Sequence, residues 1–195
     1  FSLEHRTLEK LFSGALYESL GSPVTYQRSI CSGNPISRWY DDDSLSGGMF
    51  VASLYHFIDD MVSLLGSWSD VSADYWVKRN AGGLIESDRA ALSVRFDSGC
   101  LAQLAYARGM AKPGIGSRTA AIFENGYYID DGSGARVLMP DGEHSLQSEK
   151  NNAIDADGRA FVDAVTSGIN NKTLKQSIES LRLAEAAAEA ACGTG

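Results

Sequence analysis

Cysteine is scarce in this chain. Cys31, Cys100 and Cys192 are the only three in 195 residues and lie far apart. That argues against a disulfide framework and fits a reducing compartment, the cytoplasm. Histidine is equally rare: His5, His56 and His144 stand isolated, and no C-x-x-C occurs. No metal-ligand spacing is therefore present, and no metal is expected. Positive charge is in deficit, with 17 Lys and Arg against 25 Asp and Glu, a net charge of −8 and a pI near 4.8. Without a basic cluster there is no surface for a phosphate backbone, which excludes nucleic acid as the main partner. No apolar run approaches a membrane span. The opening Phe1-Ser-Leu-Glu-His-Arg6 lacks the apolar core of a signal peptide. A dinucleotide fingerprint is also missing. There are 20 glycines, but Gly114-x-Gly116 and Gly132-x-Gly134 fall between short strands, without a third glycine or a following helix.

What is present is an ordinary globular balance, 44% hydrophobic and 22% charged. The length suits one domain, 1–195, able to bury a substantial core. The chain starts on Phe1, directly in a helical pattern, and reads as a piece of a longer polypeptide.

Periodicity divides the chain as follows. Residues 2–19 read as a helix with Ser2 as N-cap and Leu8, Leu11, Phe12 and Leu16 in its buried stripe. Gly21-Ser-Pro23 ends it, and Val24, Tyr26, Arg28 and Ile30 mark one face of a strand over 24–31. Residues 32–48 form a long loop carrying Arg38-Trp39-Tyr40 and three aspartates. Aromatics and an Arg beside acids suit a hydroxylated ligand as well as they suit a plain surface loop. A helix over 47–65 follows. Strands are predicted over 71–78, 90–96, 100–108, 118–123, 127–129, 136–139 and 145–147. The strand at 100–108 is apolar or small on both faces and should be central. Asn125-Gly126 predicts a type I′ turn. Ile154, Phe161, Val162 and Val165 mark a further helix. Thr173-Leu-Lys-Gln176 is a capping box, opening a last helix with Leu174, Ile178, Leu181, Ala184 and Ala188 inward. The sum is a two-layer α+β fold, an open and mostly antiparallel sheet with helices on one face. Trp76, Tyr106 and Ala102 would make the other face apolar enough to pair with a second copy.

The stretch 46–60 carries the densest signal. Ser46 can cap the first turn, and Gly47-Gly48 leave the helix start bare for close approach. Phe50, Leu54, Phe57, Met61 and Leu65 form one apolar face. Ala52, His56, Asp59 and Asp60 form another line, on which a carboxylate could hold the imidazole in one tautomer.

This stretch resembles the GGG-x-L-x-D-x-G-x-H-x-x-D segment of the Gfo/Idh/MocA oxidoreductases, in their C-terminal substrate domain. Ser46-Gly47-Gly48 stands at the glycine triplet, His56 at the catalytic His and Asp59 at the Asp three residues on. The family's catalytic Asp falls on Ala52, and its Gly two residues before the His falls on Leu54. The order helix, Gly-x-Pro, strand, the Phe96-Asp-Ser-Gly99 hairpin and the 161–165 and 181–188 helices also fit. The family's Glu-Lys-Pro motif is absent.

The resemblance implies a substrate-binding and oligomerisation domain of an NAD(P)-dependent oxidoreductase, acting by hydride transfer on a sugar or polyol-like small molecule. NAD or NADP would be bound by an N-terminal domain beyond this chain, with no cofactor expected here. His56 would bind or deprotonate a substrate hydroxyl. Asp60 would steady it in place of the missing Asp, and Tyr55 and Arg38 would contact substrate. The sheet face would make a homodimer. An alternative is a non-catalytic ligand-binding or scaffolding relative, to which Ala52 points.

Overall fold

The computed structural model describes residues 3–32, 46–109, 118–146, 166 and 172–192. The expected N-terminal helix is two: α1 (Leu3–Ser13) and α2 (Ala15–Leu20). Gly14 divides them with an extended backbone, and a Cβ there would sit 2.8 Å from the Lys10 carbonyl. Phe12, Tyr17 and Phe123 then cluster, with ring centroids 5.1–6.1 Å apart.

Next come β1 (Pro23–Ser32), α3 (Gly48–Ala52) and α4 (Tyr55–Leu65). Seven strands follow: β2 (Trp68–Arg79), β3 (Ile85–Phe96), β4 (Leu101–Arg108), β5 (Arg118–Phe123), β6 (Gly126–Asp130), β7 (Ala135–Met139) and β8 (Gly142–Leu146). The last described helix is α5 (Lys172–Cys192), which packs against β2, α4 and α3. The side chain of Thr173, expected to cap this helix, lies outside what the structure describes. The helix expected from Ile154 to Gly168 falls outside the described residues, save Thr166, which is helical.

One eight-stranded sheet runs β2-β3-β4-β1-β5-β6-β7-β8. Among the described residues only the β1–β4 pair is parallel, and those two strands lie in the interior of the sheet, third and fourth in the order. This is the two-layer α+β fold that the periodicity predicts. The core lies between sheet and helices, around Tyr26, Leu92, Phe96, Leu104, Ile58, Met61 and Leu183, each at most 2% exposed. Each such side chain contributes about 1.5–3 kcal/mol by leaving water.

Three expectations are corrected. The β5–β6 hairpin is not type I′, because Glu124 and Asn125 have negative φ. Its amides instead bond back to the α2–β1 connection, Glu124 N–H to Ser22 O and Asn125 N–H to Leu20 O. Ile178 and Leu181 on α5 are 45% and 40% exposed, and the buried face is Ser180, Leu183, Ala184 and Ala187. Alanines let this helix lie close, and Ser180 reaches a partner on α4. Finally, Ala102 is buried beneath the helices and Tyr106 packs on Phe57, ring centroids 6.0 Å apart. Strand alternation puts both on the covered face, so of the three residues expected on the open face only Trp76 lies there.

That open face is a concavity of about 600 Å³ near Trp76. Its floor is small, with Ser29, Ala91, Ala105 and Ala107, and the Arg89 guanidinium lies 4.9 Å from the Trp76 ring.

Candidate active site

The Ser46–Leu65 segment builds the site. Ser46 Oγ accepts the Gly48 amide at 3.1 Å, but Gly47, not Ser46 as expected, stands at the N-cap, and no side chain caps the helix. Gly47 sits at φ 76°, and a Cβ there would lie 2.9 Å from Val51 Cγ1. Glycine is required on both counts. The expected single helix then breaks. The Ser53 and Leu54 amides both bond the Met49 carbonyl, at 3.0 and 3.1 Å, which ends α3. Helix α4 restarts at Tyr55 with no side-chain cap, and the Phe57 and Ile58 amides both bond the Leu54 carbonyl at 2.9 Å.

His56 lies in that uncapped first turn and is exposed. Its ring stands edge-on to Tyr55, centroids 6.0 Å apart. The neighbours on α4 are tied down. The half-buried Tyr55 hydroxyl donates to Ser177 O at 3.4 Å. Asp59 Oδ1 accepts the Ser180 hydroxyl at 2.6 Å. Asp60 does not take the place expected for it beside His56. It turns into the core, 6% exposed, and accepts Arg28 Nη1 at 2.8 Å. The guanidinium also lies 4.8 Å from the Phe57 ring. Ala52 is half-buried, and Arg38 is outside the described residues.

A second buried ion pair holds the helix break. Arg108 Nε donates to Asp88 Oδ1 at 3.0 Å, Nη2 to Asp88 Oδ2, and Nη1 to Ser53 Oγ at 2.9 Å. Tyr75 adds its hydroxyl to Asp88 at 3.4 Å. Burial works against the Arg108 charge, but Asp88's hydrogen bond and charge outweigh it, holding the pKa above the usual guanidinium value. The Arg108 guanidinium therefore keeps its charge in the core.

Sequence reasoning missed Arg28, Arg108, Asp88 and Ser180. The signal for Arg28 was available: it sits on the apolar face of an alternating strand, where a charge needs a buried acid. Asp88 and Arg108 are register partners of an antiparallel pair, legible only once the hairpin is aligned. Among the described residues no cluster of His, Cys, Asp or Glu could hold a metal, and no helix is long and apolar enough to cross a membrane.

The profile of the "Oxidoreductase family, C-terminal alpha/beta domain" of the Gfo/Idh/MocA proteins matches residues 16–193. The chain belongs to that family. No curated protein matches it in direct sequence comparison. Among solved structures, biliverdin reductase of Synechocystis sp. PCC 6803, in complex with biliverdin and NADP+, is similar at TM-score 0.81 and 19% identity, over 96% of this chain and 59% of that one. An oxidoreductase of Agrobacterium radiobacter, in complex with NAD+, L-tartaric acid and magnesium, gives 0.73 and 16%, over 97% and 60%. A levoglucosan dehydrogenase with NADH and levoglucosan gives 0.75 and 16%, over 97% and 63%. At such identities the likeness establishes the fold. This Gfo/Idh/MocA chain spans between 59% and 63% of the length of those three.

Proposed function

We propose that this chain is the substrate-binding and oligomerisation domain of an NAD(P)-dependent oxidoreductase that acts on a sugar or polyol-like molecule. The observation that carries the reading is His56: an exposed imidazole in an uncapped first turn, on a helix whose neighbouring polar side chains are all engaged. Family membership and the dinucleotide complexes among the solved relatives support it. In this reading an imidazole nitrogen of His56 accepts the proton of the substrate hydroxyl being oxidised, the proton transfer to which imidazole is suited near neutral pH. Tyr55 walls one side of that space, and Arg38 supplies a cation to a substrate oxygen. NAD or NADP, when bound, supplies the hydride acceptor. Among the described residues there is no strand–glycine loop–helix unit for the pyrophosphate, so we place the dinucleotide on the part of the relatives' length that this chain does not span. The open sheet face, with Trp76 over a floor of alanines, is the surface we assign to a second copy, and dispersed free thiols favour the cytoplasm.

The test is a fluorescence titration of the full gene product with NADH and NADPH, then a panel of sugars and polyols. Micromolar binding, and turnover lost in His56→Ala, is the expected result. Absence of binding to either cofactor would sink the reading.

One observation favours a second reading, a non-catalytic ligand-binding relative. Ala52 occupies the family's acid position and cannot accept a proton. Ala52→Asp separates the two: turnover that rises in a wild-type-active protein fits the first, and ligand binding without turnover in either form fits the second.

A further inference from the structure

The flanks of α4 are held differently from its buried side. At about 100° per residue, Asp60 lies about 40° around the helix from His56 on one flank, with Phe57 beyond it. Tyr55 and Asp59 lie on the other. Arg28 of β1 engages the first flank through Asp60 and the Phe57 ring. Helix α5 engages the second through Ser177 and Ser180. His56 projects between them.

An ion pair whose side chains are only 2% and 9% exposed is a weak source of plain stabilisation. Apolar residues of similar volume commonly do as well or better. What a directional hydrogen bond adds is angle, because aliphatic packing is non-directional and tolerates a roll of the helix. We propose that Arg28 and Asp60 are positioning residues for His56: their buried bond, opposed by the α5 contacts, sets the direction in which the imidazole leaves α4. This rests on the role proposed for His56, yet its test needs no activity.

The full gene product is labelled with ¹³C and ¹⁵N on histidine, and the His56 signal is assigned by its disappearance in His56→Gln. The readout is the nuclear Overhauser effect between the His56 and Tyr55 rings, beside the melting temperature. Two variants move these in opposite directions. Asp60→Asn keeps the shape and an oxygen acceptor for Arg28 but removes the carboxylate charge that faces the guanidinium. Its melting temperature should fall by roughly 6–12 °C while the Overhauser effect persists. Arg28→Met with Asp60→Leu should melt within about 4 °C of wild type while the effect drops to half its intensity or less. If the double variant keeps the full intensity, the proposal is overturned. If it fails to fold, Asp60→Asn decides alone: an Overhauser effect that persists supports the proposal, and one that fades in step with stability overturns it. A wild-type protein that shows the effect but binds no nicotinamide would refute the oxidoreductase reading and leave this geometry standing.

Discussion

Replacing Asp88 by Asn tests whether the charge network at the helix break is buried as the structure shows. Asp88 is 0% and Arg108 6% exposed. Asparagine keeps the volume, so no cavity enters the result. Arg108 Nε still finds an oxygen acceptor, but the bond from Nη2 and the counter-charge are removed. Removing one partner of a buried pair costs about 3–5 kcal/mol, and the surviving bond places this change near 3 kcal/mol. For a chain of this length that is a fall in Tm of about 6–12 °C. The assay is urea unfolding, read as a lower midpoint at unchanged slope. Arg108→Met with Asp88→Leu should recover most of the loss. About 1 kcal/mol would stay missing, because Ser53 and Tyr75 no longer have these partners. A cost for Asp88→Asn below about 1 kcal/mol is what a solvent-screened surface pair would give. That outcome would refute the burial argument.

Three further outcomes follow from single sites. Gly47→Ala puts a Cβ at φ 76° and 2.9 Å from Val51, and urea midpoints should show a loss of about 1–2 kcal/mol. His56→Ala removes an exposed ring, so stability should stay within about 0.5 kcal/mol while turnover of the full protein falls about 10²–10⁴-fold. Burial pushes the Cys100 thiol from 9.0 to about 11. Because the folded value lies above the unfolded one, the neutral thiol stabilises the fold fully below pH 9, and about 2–3 kcal/mol is lost as pH rises toward 11. Comparing urea midpoints of wild type and Cys100→Ala from pH 8 to 11 checks it, and parallel curves would contradict it.

The layers of the fold were legible because alternation and helical spacing report burial directly. Tyr26 and Leu92 fall on the inward face of their strands as their spacing requires, and β4, read as apolar or small on both faces, lies inside the sheet. Single-helix readings failed where backbone geometry decides. Gly14 and the Ser53–Leu54 step break helices whose apolar stripes run on undisturbed. The direction of α5 failed for another reason. Its alanines satisfy almost any stripe, and Ser180 settles the rotation by binding Asp59 across 121 residues of sequence. At the site, His56 could be picked out as a residue type in a helix. The partners of Asp59 and Asp60 could not, because they come from α5 and β1.

The placement of buried charge gives the site its character. Among the described residues the buried charged side chains are Arg28, Asp60, Asp88 and Arg108. Every one acts on the Ser46–Leu65 segment, Asp60 from within it, Arg28 through Asp60, Arg108 through Ser53, and Asp88 through Arg108. Elsewhere between sheet and helices the core is mainly aliphatic and aromatic. Desolvating four charges is costly, and stability alone would spread polar burial or avoid it. Concentrating it on the segment that exposes His56 from an uncapped turn makes sense if the orientation of that turn is what the network holds. On that argument, variants that swap these pairs for apolar residues should separate stability from geometry at His56, whereas swaps in the aliphatic core should lower the two together.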